Sequence, residues 1–362
     1  MIPLVKVGLP NRDVLMPALE NILYSGHIAE GEVVYQFEDQ FSNIFGLPVS
    51  LAMSSGTAAL HTALLLAGVQ LGDEVITTSM TAEPTNTTIL QAGAIPVFAD
   101  VEIESGNISP DSIQSKITSK TKAVIVVHYA GIPVKLDAIA KITKDHKIFL
   151  IEDCAHALGA RYNGQGIGTI GDFAIFSLQA IKHMTTVDGG ILTMRDQSLI
   201  RKAKKIRWFG LEKGIPRTEV DITTLGYKYN MNNVSATIGL IQLNCINENV
   251  IKKHKTNGQY FDTLIPTILG LSVPKFDTNA EPSYWLYTIL SDDSSDIEKK
   301  MTAIGVTSSK LHRPNHLHSI FKPFVKELPS LDIYYKKMIH IPCGWWVSGE
   351  DRERIVDALK KG

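Results

Sequence analysis

Two residues in this chain combine a type and a position suited to one chemistry. Asp153 closes the apolar run FLIED, and Lys182 follows the apolar run FAIFSLQAI. A buried carboxylate can hold a proton on a ring nitrogen, and a desolvated lysine loses charge and becomes a nucleophile toward an aldehyde. An acid closing a strand also serves as a turn or cap residue, and surface lysines are abundant, so neither decides alone. Their company adds weight. His156 follows Asp153 closely, Ser177 ends the second apolar run, and Asp188-Gly189-Gly190 comes after the lysine. Upstream, MSSGTAAL sets a Ser55-Gly56-Thr57 turn before a helix, whose free N–H groups and positive dipole end suit a phosphate. A phosphate cup, a carboxylate and an amine, in that order, suit pyridoxal 5'-phosphate: Lys182 on its aldehyde, Asp153 at its ring nitrogen.

The elements that must position these residues alternate along the chain. Short β-branched runs occur at EVITTS (74–79), PVFADV (96–101), AVIVVH (123–128), FLIEDC (149–154), FAIFSL (173–178) and ILTM (191–194). Helical segments such as TNTTILQAGA and VKLDAIAKITKDH separate the first four. This alternation predicts an α/β fold with a mostly parallel sheet between helices. The connections shorten after residue 149, which allows antiparallel pairings there. GTAALHTALLLA (56–67) reads as a helix opening on the Ser-Ser-Gly turn. The segment from Asn232 to Ile265 reads as one long helix leaving the main sheet. SYWLYTIL, IEKKMTAIG and EDRERIVDALKKG then suggest a smaller α+β unit. The expected division is a large domain over 1–245 and a small one over 246–362, with 1–30 packing beside the small domain.

Bulk properties narrow the function classes. Of 362 residues, 44% are hydrophobic and 20% charged, enough for a large core. Lys+Arg of 36 against Asp+Glu of 37 leaves a charge of -1, which gives no field for nucleic acid or an anionic membrane. No apolar run approaches the roughly 20 residues that span a bilayer. Cys154, Cys245 and Cys343 lack disulfide or zinc spacing and read as reduced residues of a cytoplasmic protein. Neither GxGxxG after the first strand nor GxxxxGK[ST] occurs, so dinucleotide and P-loop readings lack their fingerprints.

Taken in order, these motifs resemble the DegT-type (DegT/StrS) sugar aminotransferases, within the fold-type I pyridoxal phosphate enzymes. The resemblance runs nearly end to end: IPLVKVGLPNRDV, SGHIAEGEVVYQFEDQF (25–41), SSGTAAL, GDEVITTSMT, AGAIPVFADVE, EDCAHALGA, SLQAIKHMTTVDGG and GYKYNMNNVSATIGLIQL (226–243). It implies that Lys182 holds the cofactor covalently, Asp153 pairs with its ring nitrogen, and His156 lies near its phenolic oxygen. It assigns Ser55, Gly56, Thr57 and Ser177 to the phosphate. The 226–243 segment reaches the neighbouring subunit's cofactor, so a homodimer with shared sites is implied, with Lys228 contacting the partner's phosphate. Substrate contacts fall to His27, Ile28, Asn230, His312 and His316.

Some positions depart from the family pattern. Ala82 stands where relatives often have an aromatic residue stacked on the cofactor ring, which leaves His156 as the ring's neighbour. Lys228 replaces an Asn, and Asn230 an Arg. HRPNHLH (312–318) fits a metal cluster, a solvated loop or a substrate loop; its histidines lack a supporting carboxylate pattern, which favours the substrate loop. A dehydratase branch carries histidine at the lysine position, whereas Lys182 is intact here. The resemblance therefore implies amino transfer, from glutamate, to a keto sugar that is nucleotide-linked, with pyridoxamine 5'-phosphate as the amino-carrying form. The product is an amino sugar for a surface polysaccharide, such as lipopolysaccharide O-antigen, or a secondary metabolite. Alternatives are a free keto-octulosonate-type acceptor, a sugar dehydratase, or a catalytically silent relative.

Overall fold

A computed structural model describes residues 1–361. The central sheet is built from β1 (Val49–Met53), β2 (Glu74–Thr78), β3 (Ile95–Ala99), β4 (Thr121–Val127) and β5 (Phe149–Asp153). A small hairpin, β6 (Arg161–Tyr162) and β7 (Gln165–Gly166), precedes β8 (Phe173–Ser177) and β9 (Gly190–Met194). The seven main strands lie in the order β1-β9-β8-β5-β4-β2-β3. All the pairings from β3 to β8 are parallel; β9 runs antiparallel between β8 and β1. The α/β class read from the alternating runs is borne out, and the shortened connections coincide with the antiparallel strand.

Side-chain alternation sorts the strands onto two helical layers. Leu150, Ala174 and Phe176 face α2 (Glu32–Phe45), α5 (Pro110–Lys116), α6 (Leu136–His146) and α8 (Asn233–Leu243). Ile151, Phe173 and Ile175 face α3 (Gly56–Leu66), α4 (Glu83–Gln91) and α7 (Ile200–Arg207). Helix α3 is buried on nearly every side, which explains its apolar composition. Helix α1 (Arg12–Tyr24) packs on α8.

Two elements differ from expectation. Strand β1, VSLAM, was not among the anticipated runs; it is short and carries only one β-branched residue. The long helix is interrupted: α8 ends at Leu243, a π-helical stretch covers Asn247–Ile251, and α9 (Lys252–Leu264) follows. No proline or glycine lies at that break, but Asn244, Asn247 and Asn249 are weak helix formers.

Farther along the chain, β10 (Leu271–Ser272), β12 (Tyr287–Ser291) and β13 (Met338–Ile341) form a second sheet. Strand β11 (Ala280–Glu281) instead pairs with β6. Helices α9, α10 (Ser294–Ala303) and α12 (Gly349–Lys360) share an apolar cluster with the second sheet, and α11 (Pro329–Lys337) packs on β12. Ile2 bridges to Val306, and the Trp346 indole donates to the Pro3 carbonyl, so the amino-terminal residues lie against this sheet. A further apolar cluster, including Met80, Phe98, Tyr129, Trp285 and Phe321, forms a seam between the two sheets. Among the described residues, no helix is long and apolar enough to cross a membrane.

One buried ionic cluster ties the start of the fold together. Arg207, at the end of α7, pairs with Glu38 at 2.5 Å and Glu30 at 2.6 Å, and donates to the Ala52 carbonyl at 3.0 Å. It therefore joins α2, β1, α7 and the loop before α2. Burial raises the Glu38 carboxyl, with Arg207 opposing that shift. Arg207→Met strands the buried Glu38 carboxylate and leaves Glu30 only Lys213, and is expected to cost about 3–5 kcal/mol in chemical denaturation. An unchanged unfolding midpoint would contradict this account.

Candidate active site

The register of the central sheet brings the chemical groups to one edge. Val127 pairs with Asp153, Asp153 with Ile175, and Ser177 with Gly190, which also pairs with Met53. The ends of β1, β5 and β8 and the start of β9 thus share the carboxyl edge, where open α/β sheets bind ligands. A cavity of about 350 Å³ lies there. Its lining includes Ser55, Gly56, Thr57, Asp153, His156, Ser177, Lys182 and His312.

Asp153 is 3% exposed. Its carboxylate accepts from the Ala155 amide at 3.1 Å and the Thr85 hydroxyl at 2.8 Å. Burial raises its pKa; those two donors and the charge of Lys182 oppose the rise. Thr85 in turn shares a 2.8 Å hydrogen bond with Thr81. Thr81 precedes Ala82, the cap of α4, and Thr85 lies in the first turn of that helix.

Lys182 is partly exposed at the cavity wall but enclosed by protein, so its ammonium is poorly hydrated. Burial pushes its pKa down to about 7, with Asp153 pulling the other way. Its amine sits 4.0 Å from the centre of the Trp285 ring. His156 stacks on the same indole at 4.0 Å and 21°. Burial holds the imidazole well below its usual pKa, and its Nδ1 has no partner. The ring of His312 lies parallel to His156, 5.7 Å between centroids, and burial pushes it down to about 4. Both imidazoles are therefore neutral at pH 7.

The start of α3 supplies the anion-binding end. Ser55 caps the helix by accepting from the Ala58 amide at 3.0 Å, and the Gly56 and Thr57 N–H groups precede the first intrahelical bond. Gly56 lies so near β8 that a Cβ there would come 3.1 Å from the Ser177 Cβ. A Cβ on Gly190 would fall 2.5 Å from the Gly56 nitrogen. The second glycine of the Asp-Gly-Gly run thus lets β9 approach the helix start.

Not every expected contact reaches this cavity. Lys228 is exposed and lies 3.8 Å over the Trp208 ring. Asn230 bridges to Met53, behind the Ser-Ser-Gly turn. His27 and Ile28 are exposed, and their carbonyls accept from Asn233. These four do not line the cavity of their own chain. His316 also turns away: its Nδ1 is 2.8 Å from the Ser79 hydroxyl. Within HRPNHLH, only His312 faces the cavity. Asn315 pins the loop by donating to the Thr81 carbonyl and accepting from Asn86, both at 2.8 Å. His183 is directed at the Ser283 carbonyl, 3.3 Å away.

Thr85 and Trp285 were not anticipated from the sequence. Thr85 hides in the polar run TNTT, where only its place after β2 hints at a role. Trp285 is remote in the chain and reads as a strand residue. A possible metal cluster, His128, Glu152 and Cys154, has its acid already occupied. Glu152 accepts from the Gly168, Ile170 and Gly171 amides and lies 3.1 Å from His128. That carboxylate anchors a loop.

Comparison with known proteins identifies the family. The model of the DegT/DnrJ/EryC1/StrS aminotransferase family matches residues 12–360, and the chain belongs to that family. The spore coat polysaccharide biosynthesis protein SpsC of Bacillus subtilis is 32% identical over 356 residues, covering 93% of this chain and 91% of SpsC. The sugar aminotransferase CalS13 of Micromonospora echinospora superposes with a TM-score of 0.95 at 32% identity, over 100% of both chains. Spr1654 of Streptococcus pneumoniae, solved in PLP and PMP forms, superposes at 0.90 and 0.91 with 25% identity, over at least 97% of each chain. The cofactor of this family is pyridoxal 5'-phosphate. The cavity fits it: a buried acid for the pyridinium, an amine of low charge for the aldehyde, and a helix start with close-packed glycines for the phosphate.

The depressed Lys182 pKa has a consequence for stability. Above the ordinary lysine value, roughly 10.4, the amine is neutral in folded and unfolded chains alike. As pH falls toward about 7, the unfolded chain binds a proton that the folded chain does not, so folding weakens. Below that, the loss is constant. In cofactor-free protein, Lys182→Met should therefore become progressively more stable relative to wild type as pH falls through this window. A pH-independent difference in thermal midpoint would contradict the shift.

Proposed function

We propose that this chain transfers an amino group, from glutamate, to the carbonyl of a nucleotide-linked keto sugar. The observation that carries the reading is the convergence of the Lys182 amine and the buried Asp153 carboxylate on one cavity that has an anion-binding helix start. When bound, the cofactor supplies an aldehyde for amines and an electron-withdrawing ring for the carbon that loses its proton. Asp153 keeps a proton on the ring nitrogen, and Thr85 and the Ala155 amide fix that carboxylate. The Gly56 and Thr57 amides and Ser177 hold the phosphate. Lys182, with its pKa pushed down to about 7, takes the proton from the donor's α-carbon and returns one to the acceptor. His156 and His312 line the same cavity as Ala82, where His156 would lie near the ring and His312 would meet substrate.

The sugar acceptor is supported by relatives whose names point to polysaccharide and sugar chemistry, SpsC and CalS13. A homodimer is supported by large apolar side chains left exposed in the segment before Lys228, among them Ile222 and Leu225. A partner covering that segment would also meet Lys228 and Asn230. Transamination rather than dehydration is favoured because His183 is turned to Ser283 and no histidine replaces the lysine.

Borohydride reduction of the loaded protein should leave a phosphopyridoxyl mass on the peptide containing Lys182, and Lys182→Ala should lose both that mass and the visible absorbance. A label on another lysine would overturn the assignment. Incubation with glutamate and candidate keto sugars, read by mass spectrometry, should show oxygen replaced by an amino group on a nucleotide-linked acceptor. Gain of nitrogen only on a free sugar acid, or loss of water without nitrogen, would overturn the substrate reading. Asp153→Asn should lower turnover by about 10²–10³-fold.

A further inference from the structure

Trp285 belongs to the lead-in to β12, yet its side chain lies at the far side of the seam, against the lysine. It is 1% exposed, and its indole N–H donates to the Ile181 carbonyl at 3.0 Å. The face of the ring lies 4.0 Å from the Lys182 amine, and the same ring stacks on His156. The backbone around it is fastened to the loop after β4. Ser283 donates to the Gly131 carbonyl at 3.0 Å, and Leu286 to the Ala130 carbonyl at 3.4 Å. Gly131 has φ of +94°, and a Cβ there would come 2.8 Å from the Trp285 nitrogen, so only glycine permits this approach.

We propose that Trp285 is a positioning residue for Lys182, fixing its backbone through the Ile181 carbonyl and cradling its amine on the indole face. This rests on the assignment of Lys182 as the cofactor lysine. An indole face attracts an ammonium but offers a neutral amine no hydrogen-bond acceptor. The amine therefore has a defined resting place while it carries a proton, and no hydrogen bond to break when it leaves for an aldehyde or a carbon. A carboxylate in that place would hold the ammonium too firmly. The charged and titratable groups facing the amine are Asp153 from β5, His156 from the turn after it, His312 from the late loop, and the adjacent His183. Asp153 itself is occupied by Thr85 and Ala155.

The test uses intrinsic fluorescence of the cofactor-free protein. A charge that appears 4.0 Å from an indole shifts its emission, so wild type should show a transition in emission maximum near pH 7. The transition should vanish in Trp285→Phe and also in Lys182→Met, which retains the indole and decides the matter even if the first variant folds poorly. His254, which faces Trp346, is pushed down to about 4 and falls outside this window. In the loaded enzyme, Trp285→Phe should lower kcat about 10-fold with the KM for the amino donor unchanged, and Trp285→Leu should lose more. A transition that persists in Lys182→Met, or a Trp285→Phe enzyme with wild-type kcat, overturns the proposal. A borohydride-fixed adduct on Lys182 beside a flat emission titration overturns the role of Trp285 alone. Its absence from Lys182 overturns the cofactor-lysine assignment instead.

Discussion

A carboxylate and an amine share one enclosed space here without forming a salt bridge, and the surrounding structure serves to keep them so. Asp153 accepts from the Ala155 amide on one oxygen and the Thr85 hydroxyl on the other, which orients the carboxylate and leaves each oxygen a further lone pair. Lys182 rests against the Trp285 ring. If the two closed on each other, the ammonium would be stabilised and the amine would lose its nucleophilic form. Held apart, each is available to a different end of a bound ring, and low hydration strengthens what each does there.

That separation depends on backbone fixed at the carboxyl edge of the sheet. Glu152, next to Asp153, gathers three loop amides and His128, so the strand end cannot swing. Gly190 and Gly56 bring β9 and α3 into contact where side chains would force them apart. Arg207 binds the same region from behind, through Ala52 of β1 and two buried acids. Asn315 ties the late loop to the turn after β2, which sets His312 beside His156. Residues from both ends of the chain therefore act on one cavity.

The sequence carried the parts of this arrangement that are local. Six of the seven central strands announced themselves as β-branched runs, with Asp153 closing one and Lys182 shortly after another, and the Ser-Ser-Gly turn stood out by its own residues. Strand β1 escaped because VSLAM has little strand character apart from its place beside β9. Trp285 and Thr85 escaped for another reason: their roles are set by partners more than sixty positions away, and no periodicity reports such contacts. Of the three histidines in the HRPNHLH loop, His312 and His316 looked equivalent as candidates, and only the fold distinguishes them. Asn315 fastens the loop so that His316 meets Ser79 and His312 meets the cavity. Lys228 and Asn230 lie outside the cavity of their own chain, bridged instead to Trp208 and Met53, which their place in the family-like segment did not reveal.

The central claim is that Lys182 and Asp153 grip opposite ends of one pyridoxal phosphate ring. A crystal structure of the protein loaded with that cofactor tests it most directly. The account predicts density continuous from the Lys182 Nζ to the ring, an Asp153 oxygen within about 3 Å of the ring nitrogen, and the phosphate at the Gly56–Thr57 amides. A cofactor joined to another lysine, or a ring nitrogen facing away from Asp153, would contradict it.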